Sequence, residues 1–149
     1  TTRFALDRRT DRGKPVNDYL YDTTYDPPIP VCGITLTAPA TDQRVELSAI
    51  VDTGADGTIV PIRHLQHIEA RRAFEASLRS QWGERRVVFL YLVDLTIDQL
   101  TLPGIYVVGD DLGDETVLGR NVLNRLRLLL DGPQTVMTLL GAGSPRIRE

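Results

Sequence analysis

Short apolar runs separated by turn residues are the feature that most limits the fold of this 149-residue chain. Val, Ile, Leu and Thr dominate these runs and Pro and Gly stand between them, which is typical of an all-β domain with many turns. The predicted strands are VCGITLT, VELSAIVD, TIVP, RRVVFLYLVDLTI, GIYVVG, the start of VLGRNVLNRL, and the two arms of RLLLDGPQTVMTLL. IRHLQHI predicts a short helix, and Val122, Leu123 and Leu126 at helical spacing predict another near the C-terminal end.

One segment allows two interpretations. EARRAFEASLRS, residues 69–80, has small and apolar side chains at helical spacing, but a second, overlapping set of its residues alternates as it would in a strand. Phe74 and Leu78 belong to both patterns. The pattern alone slightly favours a helix.

Composition limits the class of protein. A length of 149 residues with 42% hydrophobic side chains suits one globular domain with its own core. The formal net charge of -3 gives no overall reason to expect binding to nucleic acid or an anionic membrane, and the basic residues 1–14 are interpreted as a solvated tail. Cys32 is the only cysteine, which excludes an internal disulfide and a Cys/His zinc cluster. With no apolar run of membrane-spanning length and no secretory signal, we expect a soluble, cytoplasmic protein.

Asp52 is the residue whose position requires a chemical reason. It ends a Val- and Ile-rich strand within IVDTGADGTIVP, where a carboxylate needs hydrogen bonds, a partner charge or a proton. A phosphate-handling site would use the backbone N–H groups of Gly54 and Gly57, but such folds need a second phosphate loop and usually a longer chain. A subtilisin-like triad would need a His and a Gly-flanked Ser. His64 and His67 lie in the predicted helix and no such Ser follows, so the triad is excluded.

A third explanation is a pair of aspartates that share one proton. One carboxylate acts as a base on a water molecule while the other, protonated, polarises an amide carbonyl. Asp-Thr-Gly suits this task, because Thr53 offers a hydroxyl to lock the loop to a symmetric counterpart and Gly54 leaves room for a second loop and a substrate. The sequence contains one Asp-Thr-Gly and no second Asp-Thr/Ser-Gly. A dyad therefore requires a twofold homodimer.

Two motifs resemble the retropepsins, the retroviral-type aspartic proteases. VDTGADGTIVP resembles the active-site loop of the family, and TVLGRNVLNRLRLLLDG resembles its later apolar-apolar-Gly-Arg-Asn/Asp segment. Asp52 precedes Gly119 by 67 residues, in the order of the family with a somewhat long separation. The resemblance implies a partly flexible N-terminal extension at 1–28, a protease domain at 29–140 and a tail at 141–149.

The resemblance also implies a role for each residue of the first motif. Asp52 is expected to be the catalytic carboxylate and Thr53 the residue whose hydroxyl locks the loop. Gly54 and Ala55 are expected to line the floor of the substrate site. Asp56 is expected to form a salt bridge with an arginine of the second motif.

That arginine is Arg120, which follows Gly119 in the second motif. The resemblance implies that its guanidinium forms a buried, bidentate pair with Asp56 and so ties the loop to the C-terminal helix, a task that suits a planar fork better than an ammonium. The alternative is a surface arginine that merely starts a helix. The wholly apolar residues before it favour the first interpretation.

The retropepsins also have a flap, a hairpin that closes over the bound peptide. The resemblance assigns its arms to residues 71–80 and 85–92 and its turn to Gln81, Trp82, Gly83 and Glu84, against the helical pattern of the first arm. Retroviral flap tips are rich in glycine, whereas this one has a single Gly beside the only Trp of the chain. Trp82 is expected either to cover the peptide or, as is commoner for an indole, to pack on its own domain.

The resemblance implies an all-β, closed-barrel domain with one short C-terminal helix that acts as a homodimeric aspartic endopeptidase on a peptide or protein substrate. No metal, organic cofactor, nucleic acid or membrane is expected as a partner. The alternative function is a catalytically inactive module of the same fold that binds peptides or dimerises. The intact Asp52-Thr53-Gly54 triplet favours the enzyme.

Overall fold

The computed structural model describes residues 17–80 and 82–143, which form strands and two short helices. The strands are β1 (Asn17–Leu20), β2 (Val31–Thr37), β3 (Arg44–Val51), β4 (Thr58–Pro61), β5 (Arg71–Arg79), β6 (Arg85–Ile97), β7 (Leu100–Asp110), β8 (Thr116–Leu118), β9 (Leu126–Asp131) and β10 (Val136–Ala142). The helices are α1 (Ile62–His67) and α2 (Arg120–Leu123). No helix within these residues is long and apolar enough to cross a membrane.

Six strands close into a barrel. Their order is β2-β3-β8-β4-β7-β6, and β6 returns to pair with β2, so these six strands form a closed ring, while β5 pairs with β6 alone and leaves one free edge. The β3–β8 and β4–β7 pairs are parallel and the remaining neighbours are antiparallel. This architecture confirms the predicted all-β closed barrel.

The barrel interior is filled by the alternate residues of its strands. Val93, Leu95 and Ile97 on β6 are almost fully buried, while the residues between them remain partly accessible. Ala49 and Val51 on β3 lie in the same core, as their alternation predicted. A fully buried Val, Leu or Ile contributes about 1.5 to 3 kcal/mol, so this interior is the main source of stability.

A smaller sheet in the order β1-β10-β9 covers the barrel. Met137 and Leu139 of β10 are buried in the same core as the barrel residues, which joins the two sheets into one unit. Strand β1 lies within the extension predicted at 1–28 and pairs with β10 along its length. The basic segment 1–14 lies outside the described residues, and the division of the chain at residues 28 and 141 stays a prediction.

The second helix is shorter than its spacing pattern predicted. Helix α2 ends at Leu123, and Leu126 begins strand β9, where it pairs with Ala142. The placement of Leu126 in a helix was therefore wrong. A strand partner on β10 satisfies the backbone of residue 126, whereas a helix of four residues has little stability of its own.

The ambiguous segment is a strand. Residues 71–79 form β5, which pairs antiparallel with β6, so the hairpin predicted from the resemblance is confirmed and the helical pattern was misleading. The register shifts between Arg72 and Phe74. Most residues of β5 are exposed, so no buried face imposes the alternation typical of a strand, and for this reason the pattern alone favoured a helix.

Candidate active site

Asp52 lies where strand β3 leaves the barrel. The N–H of Val51 donates to Pro30 O at 3.0 Å, and the N–H of Asp52 donates to Leu118 O at 3.1 Å. Neighbours on both sides thus hold the backbone up to the carboxylate. In the single chain the side chain of Asp52 is exposed, so it does not experience the desolvation that its position after an apolar strand suggested.

The loop after Asp52 orients its carboxylate. The N–H of Gly54 donates to Asp52 Oδ1 at 2.8 Å, and the N–H of Ala55 donates to Asp52 O at 3.2 Å. A Cβ on residue 54 would lie 3.1 Å from Asp52 Oδ1, closer than most side-chain carbons approach an oxygen. Glycine therefore keeps the space beside the carboxylate open. That this space admits a second loop and a substrate stays a prediction.

Arg120 joins the two sequence motifs. Its Nη1 donates to Thr53 O at 2.8 Å, its Nη2 pairs with Asp56 Oδ1, and its backbone N–H donates to Ala55 O at 2.8 Å. The three contacts fall on Thr53, Ala55 and Asp56 of the Asp52 loop. A guanidinium can make the first two at once because its N–H groups form a fork.

The predicted ion pair between Asp56 and Arg120 is present, but its expected character was wrong. The side chain of Asp56 is 92% exposed and that of Arg120 is 43% exposed, so the pair is not buried. The guanidinium divides its donors between a carboxylate and a carbonyl instead of engaging one carboxylate with both. Because the loop leaves the Asp56 carboxylate in solvent, the pair contributes little to stability.

Gly119 is required by close packing of backbone against backbone. A Cβ at residue 119 would lie 2.2 Å from Gly57 O, and no flexible side chain there can move aside. The N–H of Gly119 donates to Thr58 Oγ1 at 3.2 Å. The second motif therefore packs directly against the end of the Asp52 loop.

Two polar residues that sequence analysis did not select complete this junction. Thr58 is fully buried, and its hydroxyl donates to Asn121 Oδ1 at 2.8 Å. Asn121 Nδ2 in turn donates to Tyr106 O at 3.1 Å. The available signals were a Thr at the first position of an apolar strand and the Asn that follows Gly119 and Arg120. A buried hydroxyl with both a donor and an acceptor partner stabilises the loop contact.

The end of the β5–β6 hairpin carries the residues predicted for the flap turn. Ser80 organises the turn, because its Oγ accepts the N–H groups of Trp82 and Glu84 at 3.3 and 3.2 Å. Gly83 has a φ of +82°, a conformation that favours glycine. Trp82 is 82% exposed, so its indole does not pack on its own domain. Gln81, also predicted for this turn, lies outside the described residues.

Cys32 and the histidines lie away from this loop chemistry. Cys32 is buried in the barrel as predicted, and burial raises the pKa of its thiol to about 12. A thiol that stays protonated is not nucleophilic. His64 is partly buried on α1, which lowers the pKa of its imidazole, and His67 is exposed.

Replacement of Arg120 by lysine should test the two-acceptor contact. A lysine ammonium cannot reach Thr53 O and Asp56 with the same fork geometry, so one hydrogen bond is lost. We expect the melting temperature of Arg120→Lys to fall by about 3 °C, as for one lost hydrogen bond in a domain of this size. Asp56→Asn is the control, with a smaller shift because exposed ion pairs contribute little. If Arg120→Lys and the parent have the same melting temperature, the contact of the Arg120 guanidinium with two acceptors does not contribute to stability.

The comparison with known proteins is informative at the level of structure. No protein-family model matches the sequence, and no curated protein matches it. The structure is similar to a retropepsin-like aspartic protease from Rickettsia conorii, with a TM-score of 0.57 and 14% identity over 87% of this chain and 94% of that chain.

Two further solved structures have lower scores. The EIAV protease complexed with the inhibitor HBY-793 has a TM-score of 0.47 and 19% identity, over 64% of this chain and 86% of that chain. The retroviral protease-like domain of Ddi1 from Leishmania major has a TM-score of 0.46 and 14% identity, over 77% of this chain and 96% of that chain. Taken with the closed barrel, the Rickettsia similarity shows that the chain has the fold of the retropepsin-like aspartic proteases.

Proposed function

We propose that this protein is an aspartic endopeptidase that acts as a homodimer, with Asp52 of each chain contributing one carboxylate to a single site. The observation that carries this proposal is an exposed carboxylate on a loop that Arg120 and Gly119 hold in place. The sequence contains one Asp-Thr-Gly, so the second carboxylate comes from a second copy of the chain.

The proposed reaction uses the two carboxylates in different protonation states. The ionised Asp52 takes a proton from a water molecule, and the water oxygen forms a bond with the amide carbon of the peptide. The protonated Asp52 of the other chain donates its proton to the carbonyl oxygen. Cleavage of the C–N bond follows as a proton passes to the leaving nitrogen, which yields a carboxylic acid and an amine.

The neighbouring residues have supporting roles in this proposal. Thr53 is exposed, and in this proposal its hydroxyl faces its counterpart across the twofold axis, while Gly54 and Ala55 form the floor under the peptide. The β5–β6 hairpin acts as the flap. Its residues 85–88 pair only with β5, because the pairing of β6 with β7 begins at Phe89. This end of the hairpin therefore extends past the last β6–β7 pair, as a cover for a substrate must.

Cleavage of an unstructured protein at mildly acidic pH is the direct test. We expect turnover that a statin-type peptidomimetic blocks and that metal chelators do not affect, because the dyad needs only two carboxylates and water. Full activity in the presence of the peptidomimetic would contradict the proposal. Tight peptide binding without cleavage would favour a catalytically inactive binding module instead.

Dilution should reveal the shared site. Below the dimer dissociation constant the fraction of paired chains falls with concentration, so we expect activity to rise faster than linearly with protein concentration. Activity is measured over a dilution series, and sedimentation over the same range reports the oligomeric state. A sedimenting monomer with undiminished specific activity would contradict a site built from two chains.

A further inference from the structure

The outer end of the β5–β6 hairpin carries a pair of like charges in direct opposition. Arg79 on β5 and Arg85 on β6 are cross-strand partners, so their side chains leave the same face of the hairpin. Both residues are exposed. Like charges directly opposite each other destabilise a strand pair, so this arrangement lowers the stability of the free hairpin.

These two arginines have no acidic partner within residues 17–80 and 82–143. Glu75 and Glu84 are the carboxylates of the same hairpin, and neither forms an ion pair with them. Arg86 makes the contrast clear, since it lies on the other face and contacts Asp110 at 3.3 Å and Asp111 at 3.6 Å. The chain therefore neutralises one arginine of this hairpin end and leaves the opposed pair uncompensated.

Apolar surface lies beside the opposed pair. Val87 is the next residue of β6 on the same face, pairs with Ser77, and is 65% exposed. The exposed indole of Trp82 lies in the turn between the two strands. Two guanidinium groups next to exposed apolar side chains match an anionic group attached to an apolar chain, because guanidinium forks bind carboxylates with two parallel hydrogen bonds.

The charge of the hairpin differs from that of the chain. Residues 71–86 contain five arginines and two glutamates, whereas the whole chain has 20 acidic and 17 basic residues. Three of these five arginines, Arg79, Arg85 and Arg86, lie at the outer end of the hairpin, which concentrates attraction for anions there. The negative net charge opposes general binding to nucleic acid, whose attraction increases with the number of phosphates contacted.

We infer that Arg79 and Arg85 select peptide substrates that carry an acidic side chain next to an apolar one. This inference rests on the proposed function, because it assigns a substrate class to the same flap. The carboxylate of the peptide lies between the two guanidinium groups and relieves their repulsion, while its apolar neighbour contacts Val87 or Trp82. The selectivity therefore arises at the end of the hairpin and not at Asp52.

Protection of a sheet edge is the competing explanation for these charges, since charged residues on edge strands prevent pairing with other chains. That role needs only a positive charge, which lysine supplies equally well. Binding of a carboxylate by two planar guanidinium groups needs arginine. The variants Arg79→Lys/Arg85→Lys and Arg79→Gln/Arg85→Gln therefore separate the two explanations.

The test is a binding experiment in the Asp52→Asn background, where no cleavage occurs and the fluorescence of Trp82, the only tryptophan, reports binding at the hairpin. The probes are two peptides without tryptophan that differ only by Glu or Gln beside a Leu. We expect the Glu peptide to bind about 10-fold more tightly than the Gln peptide, as for charge-assisted hydrogen bonds. Higher salt should reduce this difference.

The double glutamine variant should lose the preference, and the double lysine variant should keep only part of it. Arg71→Gln, an exposed arginine at the far end of β5, is the matched control and should keep all of it. Because the opposed pair is destabilising, the double glutamine variant should melt at or above the temperature of the parent.

Four outcomes would overturn the inference. Equal binding of both peptides to the parent, or a preference that survives in the double glutamine variant, would contradict it while leaving the proposed protease function intact. Single-stranded DNA that binds at lower concentrations than the Glu peptide in the same fluorescence experiment would assign the two arginines to nucleic acid. Absence of any peptide binding in any variant would contradict both the inference and the proposed function.

Discussion

Asp52→Asn is expected to be folded and to lose at least about 1000-fold in activity, because it removes the base that activates water. Stability should change little, since the side chain is exposed and an Asn Oδ1 can still accept the N–H of Gly54. The measurements are peptide cleavage and a thermal melt. Asp42→Asn, an exposed carboxylate in the β2–β3 turn, is the matched control and should retain full activity.

The same variant should also inactivate wild-type protein on mixing. A mixed dimer has one Asp and one Asn and cannot form the dyad, so it should be inactive. When an equal amount of mutant is added to a fixed amount of wild type and chains exchange freely, random pairing leaves about half of the original wild-type dimers, and activity should fall to about half. Unchanged activity, with exchange verified by a labelled chain, would refute the shared dyad. The phosphate-handling interpretation of the Asp52 loop would then have to be reconsidered.

Gly119→Ala is expected to have the largest effect on stability. The added methyl would lie 2.2 Å from Gly57 O and 2.4 Å from Gly57 C, so the backbone of one loop must move. Overpacking of this kind costs about 3 kcal/mol or more, a large share of the stability of a small domain. Urea or thermal unfolding measures the loss directly.

Gly33→Ala is the control for this prediction. A Cβ at Gly33 would meet nothing within 4 Å, and alanine restricts the unfolded chain more than glycine does. We expect Gly33→Ala to melt at or slightly above the temperature of the parent. If Gly119→Ala behaved in the same way, the contact between the two motifs would not be the reason for glycine at position 119.

The sequence alone determined the fold class and most of the strands. Alternation and turn residues predicted the bounds of β2 and β6 as the structure has them, because side chains of period two and Pro/Gly punctuation are local properties. The ion pair of Asp56 with Arg120 followed from resemblance, since 64 residues separate them and no local pattern joins them. The hairpin of residues 71–92 also needed the resemblance, because its first arm is mostly exposed and its small and apolar residues also fit helical spacing.

Only the tertiary structure decided how these parts meet. The exposure of Asp56, the division of the Arg120 fork between two acceptors, and the buried Thr58–Asn121 hydrogen bond depend on contacts between segments far apart in the chain. The same is true of the opposition of Arg79 and Arg85, which a shift of one residue in register would remove. Composition and periodicity describe which face of a strand is apolar. Which polar groups share a surface depends on register and closure of the barrel, and these are set by the packing of the whole chain.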